Sequence, residues 1–467
     1  MSEPWRPHGY QKKAIKFMVQ QGAAGLFLSP GLGKTSTTLA AFKVLRKTKL
    51  VRRALVIAPL RPATSVWPGE VARWDDFHDI TLRVLHGPQK ADLLASGELT
   101  GGVDVINFEG LSWLFDAVKG QDWPWQMLVI DESTRIKNPQ TLRFKLLKPH
   151  LNKFRRRYIL TGTPAPNGLL DLFGQVYALD QGAALGRYVT HYRMSFFNST
   201  GYGGYTWVPK PDAEERIYKA LRPLVLRMSA EDYLHLPPLI NNTITVELPP
   251  EARKAYDQME DLLITELKEG TLTAANAAAT FGKCRQIANG GAYLGTPEGE
   301  VPSGKAKWAH IHDAKLEAVQ ELVEELSGKP ALIAYEFKHD LERLQKVFPE
   351  AEYLGGGVTA KKQREVEAAW NGGRLQVLLA QPQSVAHGLN LQGVGAAVVF
   401  HSLSPNLEDT EQLVRRVWRQ GQKERVVVHW IVAKDTVDEA IRGMLNKKDR
   451  TQQKLLNALK DHLKRRY

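Results

Sequence analysis

Three groups of residues, far apart along the chain, have the types and spacing that phosphoryl transfer needs. The first is Gly31-Leu32-Gly33-Lys34-Thr35, which follows a short apolar run (Gly25 to Leu28) and opens a stretch of small and apolar residues (Thr37, Leu39, Ala40, Ala41, Val44, Leu45). Strand, glycine loop and helix in that order can cradle a triphosphate. Gly31 and Gly33 let backbone N–H groups turn inward on phosphate oxygens, and the helix adds its positive N-terminal end. Lys34 would bridge the β- and γ-phosphates of ATP, and the Thr35 hydroxyl would hold magnesium. The strict pattern wants a glycine five residues before Gly33. Leu28 stands there, so on its own the stretch also reads as a plain glycine turn before a helix. The second group is Asp131-Glu132, delivered at the end of the apolar run Met127–Ile130. Asp131 would bind magnesium, directly or through water, and Glu132 would take the proton from the attacking water. The third is Arg416 and Arg419, inside Gln412–Gln422. Three apart, they fall on one side of a helix and could act as arginine fingers on a γ-phosphate, although a basic surface helix is the plainer reading of that segment alone.

These groups need elements to position them. Ala54–Pro59 and Val103–Phe108 are apolar runs of strand length, as is Met127–Ile130, and each reads as a parallel strand buried on both faces. In open parallel sheets ligands sit at the carboxyl ends of the strands, so Asp131 and Glu132 belong in the same crevice as the phosphate loop. Tyr158-Ile159-Leu160 leads into Thr161-Gly162-Thr163-Pro164, whose two hydroxyls, Thr161 and Thr163, suit a relay of the γ-phosphate state. Upstream, Gln11 could present its amide to the adenine edge. The pattern starts again after residue 314, with strands at Ala331–Tyr335, Leu375–Ala380, Ala396–Phe400 and Val426–Val432 alternating with helices. That alternation means a second parallel sheet of the same kind. Between the two units, Pro250–Lys268 reads as a long helix, and Thr200–Val208 as an aromatic loop better suited to local packing than to stacking on nucleic acid.

Taken together these segments resemble the Swi/Snf-type branch of the superfamily-two helicases and DNA translocases. Gly31–Thr35, Asp131–Asn138 and Leu160–Pro164 look like motifs I, II and III. Val56–Leu60 with Trp67, Glu70 and Trp74 is similar to motif Ia and the helix behind it, and Pro7–Gln11 to the adenine-reading glutamine motif. Ala386–Leu391 resembles motif V, and Gln412–Gln422 motif VI. Leu221–Arg227 with Leu236-Pro237-Pro238 looks like the connection between lobes. The resemblance implies an α/β fold of two RecA-like parallel-sheet lobes with helical protrusions. Residues 1–232 would be the ATP-binding lobe, with a helical insertion after motif III. Residues 233–467 would be the C-terminal lobe, with a protrusion at about 250–300 and a basic closing helix. It implies ATP and Mg2+ as cofactors, with Gly388 and Asn390 added to the nucleotide contacts. By position in the motifs, Arg61, Asn107, Lys338 and Gln392 would touch nucleic acid. The chain departs from the branch at Ser29-Pro30, at Ser133-Thr134 after the carboxylates, at His387 and at Trp418. None of these removes a group that handles phosphate, magnesium or the attacking water.

The bulk properties agree. The chain has 467 residues, a net charge of +13 and a single cysteine, Cys284, which excludes an internal disulfide or a cysteine-rich zinc site. The charge favours a polyanionic partner. From Arg442 to the C-terminus there are nine Lys/Arg against two Asp, with Leu455, Leu456, Leu459 and Leu463 on one helical face. No apolar run spans a bilayer and the N-terminus lacks a signal-peptide core, so a cytoplasmic protein is expected. The expectation is a monomeric, ATP-dependent duplex-DNA translocase from a bacterial or phage-infected cell that remodels or anneals DNA. Its partners would be duplex DNA and proteins of replication, recombination or repair. A strand-separating DNA or RNA helicase is the alternative. A non-catalytic scaffold would be expected to lack Lys34, Glu132 or Arg419, and all three are present.

Overall fold

The computed structural model describes residues 3–96, 102–166, 168–200, 206–229, 233, 237–269, 274–294, 307–385, 389–419 and 422–445, without the side chains of 206, 263–269 and 274–278. Gly388, residues 201–205 of the aromatic loop, Leu236 of the connection and the basic segment from 446 onward lie outside the described residues. Two compact units divide the chain, Met1–His235 and Leu236–Tyr467.

The first unit is built on β1 (Ala23–Leu28), β2 (Ala54–Ala58), β3 (Thr81–Val84), β4 (Gly102–Asn107), β5 (Met127–Asp131) and β6 (Arg156–Thr161), then the antiparallel pair β7 (Phe197–Thr200) and β8 (Thr206–Pro209), and finally β9 (Val225–Met228). Seven of these form one sheet in the order β3-β4-β2-β5-β6-β1-β9, parallel throughout. Every residue of β2 and β5 is buried, as a sheet covered on both faces by helices requires. Val225–Met228, expected as part of the connection, instead extends the sheet beside β1, with Gly25 opposite Val225. Four residues that mix apolar and basic side chains carry too short a pattern to announce a strand. β3 went unannounced for the same reason. In the described part of the aromatic segment, Trp207 lies on β8 under the Arg193 guanidinium, 5.6 Å from its ring centroid, which is local packing. A buried carboxylate knots the far edge of the sheet: Asp104 on β4 accepts from Arg53 Nε (2.7 Å), Arg83 Nε (2.8 Å) and Trp125 Nε1 (2.6 Å).

The second unit carries β10 (Leu239–Val246), the antiparallel pair β11 (Gly291–Tyr293) and β12 (Trp308–His310), then β13 (Ala331–Ala334), β14 (Glu352–Leu354), β15 (Val377–Ala380), β16 (Ala397–Phe400) and β17 (Val426–Ala433). Its six-stranded parallel sheet runs β10-β17-β16-β13-β15-β14. Two helices, Pro250–Glu269 and Ala274–Asn289, leave and re-enter between β10 and β11. Their sheet-side ends bury Tyr256, Cys284, Ile287 and Ala288 against Ala433, Val437 and Ala440. Burial, then the neighbouring Glu260, pushes the Cys284 thiol up to about 12, so it behaves as a small apolar residue. The helix end at Asn289 is held by a buried polar network. Lys315 Nζ donates to Asn289 Oδ1 (2.8 Å) and pairs with Asp438, and Ser402 Oγ donates to Asp340 Oδ2 (2.7 Å), which also accepts from Asn289 Nδ2. No helix among the described residues is long and apolar enough to cross a membrane.

Candidate nucleotide site

The phosphate loop has the backbone that its glycines imply. Gly31 and Gly33 sit at φ of 90° and 70°, and the helix Lys34–Lys47 starts directly afterwards. A Cβ at Gly33 would lie 2.4 Å from Gln11 Nε2, so the position is closed to side chains on two counts. The missing glycine is explained by the strand. Leu28 is the last residue of β1, and its side chain is fully buried in the core. Only its carbonyl faces the loop, where it accepts from Lys34 Nζ at 2.9 Å. Gln11 is buried and tied to the same loop: its Oε1 accepts from the His8 N–H (2.9 Å) and its Nε2 donates to the Leu32 carbonyl (3.4 Å).

Two strands away, Asp131 ends β5, and Thr161 ends the intervening β6 opposite Phe27 of β1. Phosphate loop, threonine turn and carboxylates therefore share the carboxyl end of one sheet. Glu132 takes a left-handed conformation (φ 50°, ψ 59°), a conformation that a non-glycine residue adopts at a cost and that is typical of functional turns. Its Oε2 is buried without a hydrogen-bond partner. Asp131 accepts from the Glu132 N–H (3.0 Å) and from the indole Nε1 of Trp67 (3.0 Å). The sequence placed Trp67 on a helix but not on this carboxylate. The available signal was that a buried indole must find an acceptor.

Burial, then the Glu132 charge, pushes the Asp131 carboxyl up to about 6, against the pull of Trp67 and Lys34. A deeply buried carboxylate beside an orphaned acceptor, with Thr35 in the first turn of the helix that follows the phosphate loop at the same end of the sheet, is a hard oxygen donor set. It fits a magnesium ion, which Asp131 and Thr35 would hold. The shift has a consequence for stability. Its folded value lies above the roughly 4 of an unfolded carboxylate, so the folded chain holds the proton more tightly between those values. Stability is then lost as pH rises through that window and stays lost above it. Asp131→Asn is expected to raise the melting midpoint of the ligand-free protein at pH 8, a gain that shrinks as the pH falls toward the range of an unfolded carboxylate. Equal midpoints at pH 8 by thermal unfolding would show that the charge is already compensated.

In the second unit the helix Leu407–Val417 ends before Arg419. Arg416 occupies its last turn, and Arg419 lies in the turn beyond, where its carbonyl accepts from the Gln422 N–H. The expected single helical face for the two arginines is therefore corrected. The helix stops at Trp418, where the backbone leaves the helical region (φ −93°, ψ 84°) and the indole donates to the Pro237 carbonyl at 2.7 Å. Arg416 Nη1 donates to the Leu389 carbonyl (3.3 Å) and its own carbonyl accepts from the Leu391 N–H, which joins motif VI to motif V. Asn390 carries a buried Oδ1 without a partner. Of the expected nucleic-acid contacts, Lys338 is exposed at the start of the helix Lys338–Val347, and Arg61 and Gln392 are half-buried. Asn107 is buried, with its Nδ2 on Glu109 (2.9 Å).

A parallel sheet that gathers a phosphate loop, a carboxylate pair and a threonine turn at one end defines a helicase-type ATPase unit. Residues 10–290 match the SNF2-related domain and residues 314–421 the helicase conserved C-terminal domain. The chain belongs to the SNF2-related family of nucleic-acid-dependent ATPases. It is 36% identical to protein p41 of Acyrthosiphon pisum secondary endosymbiont phage 1, over 97% of this chain and 98% of that one. It is 24% identical to the bovine (Bos taurus) DNA annealing helicase and endonuclease ZRANB3, over 97% of this chain but only 41% of that protein's length. Among solved structures it is similar to the Sulfolobus solfataricus SWI2/SNF2 ATPase core in complex with dsDNA, at 21% identity and a TM-score of 0.44, covering 98% of this chain and 94% of that one.

Proposed function

We propose that the protein is an ATP-dependent translocase on duplex DNA, acting as a monomer in the cytoplasm of a bacterial or phage-infected cell. The observation that carries this reading is the convergence of Lys34, Thr35, Asp131 and Glu132 at one sheet end in a chain of the SNF2-related family. In the proposed mechanism Gly31, Gly33 and Lys34 hold the phosphates, and Gln11 reads the adenine edge. Thr35 and Asp131 would hold magnesium, which when bound would supply positive charge against the phosphates. Glu132 orients the attacking water and accepts its proton. Arg416 and Arg419 supply guanidiniums to the charge that develops on the γ-phosphate, and Gly388 and Asn390 add contacts to the nucleotide. Thr161 and Thr163 pass the phosphate state onward. Arg61, Asn107, Lys338 and Gln392 are the proposed backbone contacts, so little sequence preference is expected. Proteins of replication, recombination or repair are the proposed partners.

The test is steady-state ATP turnover with duplex DNA, single strands, forks and RNA in parallel. Duplex DNA is expected to stimulate turnover by at least about tenfold, with single strands and RNA well behind. Preferential stimulation by RNA or single strands would overturn the duplex reading. Release of a labelled strand from the fork would replace it with a strand-separating helicase.

A further inference from the structure

Between the carboxylate turn and the threonine turn lies one side chain that touches both. Gln175, on the helix Leu172–Asp180, is fully buried, as is Ser133, the residue after Glu132. Ser133 Oγ donates to Gln175 Oε1 at 2.7 Å. The other end of the amide donates to the Pro164 carbonyl at 2.6 Å and to the Asp171 carbonyl at 2.8 Å. Both amide protons are therefore committed.

The surroundings leave this bridge little slack. A Cβ on Gly174 would fall 2.2 Å from the Ile136 carbonyl and 2.7 Å from that of Lys137, so the helix is seated directly on the turn that follows Glu132. Lys137 Nζ and Asp171 Oδ2 pair across the same seam at 3.2 Å. At its other end the threonine turn meets the phosphate loop, where a Cβ on Gly162 would lie 2.8 Å from Pro30 Cδ. Phosphate loop, threonine turn, Gln175, Ser133 and Glu132 are thus linked by a continuous chain of contacts. An exit runs from it: Tyr192 Oη, on the helix Val189–Phe196, donates to the Leu169 carbonyl at 2.7 Å. That helix leads into the β7–β8 pair.

We propose that Gln175, acting through Ser133, is the positioning residue that transmits the state of the carboxylate turn to the Thr161–Pro164 turn and to the helices beyond it. The proposal rests on the motor reading above. A packed interior transmits small displacements because it cannot absorb them, and a fully satisfied buried amide is among its least compliant links. At this position, where the chain departs from the branch, the Ser133 hydroxyl supplies the hydrogen bond that makes the link.

Ser133→Ala removes one donor and leaves the fold the least disturbed; Gln175→Met keeps the side-chain length and removes both amide donors. Each is expected to lower duplex-stimulated ATP turnover by about tenfold, with DNA-free turnover and duplex affinity changed by less than about twofold. The double variant is expected to be no worse than Gln175→Met alone, because both residues act through the same hydrogen bond. Normal stimulation in both single variants, in a parent that DNA does stimulate, would overturn the relay while leaving the motor reading intact. So would a parallel loss of DNA-free turnover, which marks a packing role, or a double variant that multiplies the two single effects. A parent whose turnover ignores DNA would overturn the motor reading, and the relay with it.

Discussion

Glu132→Gln is expected to bind ATP and hardly turn it over, and Lys34→Ala to lose turnover as well. The glutamine keeps the size of the carboxylate and its left-handed backbone position at φ 50°, so the site should still assemble. It removes the base, and a positioned general base contributes about 10²- to 10⁴-fold. It also removes a carboxylate whose Oε2 is buried and unpartnered, so the loss of activity should come without a loss of stability. Lys34→Ala acts differently. Lys34 Nζ is held on the Leu28 carbonyl at 2.9 Å, within the loop that its charge would leave to reach the β- and γ-phosphates. Its removal should weaken nucleotide binding along with turnover. Phosphate release and binding of a fluorescent ATP analogue, measured on both variants, separate the two roles. Substantial hydrolysis by both would place the chemistry somewhere other than this loop and this carboxylate pair.

The second large effect is expected at Arg419. An arginine finger stabilises charge that exists only during transfer and is worth about 10³- to 10⁵-fold. Arg419→Ala should therefore cut turnover about a thousandfold and leave duplex affinity within a few-fold. Affinity and turnover falling together in a DNA titration would make Arg419 a backbone-phosphate contact. Arg416 should behave less cleanly. It already hydrogen-bonds the Leu389 carbonyl through Nη1, so its replacement would disturb motif V as well as the charge.

Much of the site was legible from residue types. Asp131 and Glu132 were announced by the four buried apolar positions of β5 ahead of them, Met127–Ile130, and a strand buried on both faces leaves a continuous apolar run. The phosphate loop was announced by glycines that a backbone at positive φ requires. At Leu28 the loop uses only the backbone carbonyl, so the side chain there is free to belong to the core. β9 was hidden because four residues show no periodicity, and the end of the motif VI helix because Trp418 is helix-compatible as a residue type although its backbone leaves the helical region here.

What the sequence determined by itself is the chemistry: which residues can hold phosphate, take a proton or offer a guanidinium depends on functional groups and short spacings, and those are local. What only the tertiary structure decided is how these groups are held. Trp67 lies 64 positions before Asp131, and Ser133 lies 42 before Gln175. Contacts at such separations leave no periodicity in the chain. They are settled when strands pair and helices seat on the sheet, because only then is each buried donor forced to find its acceptor.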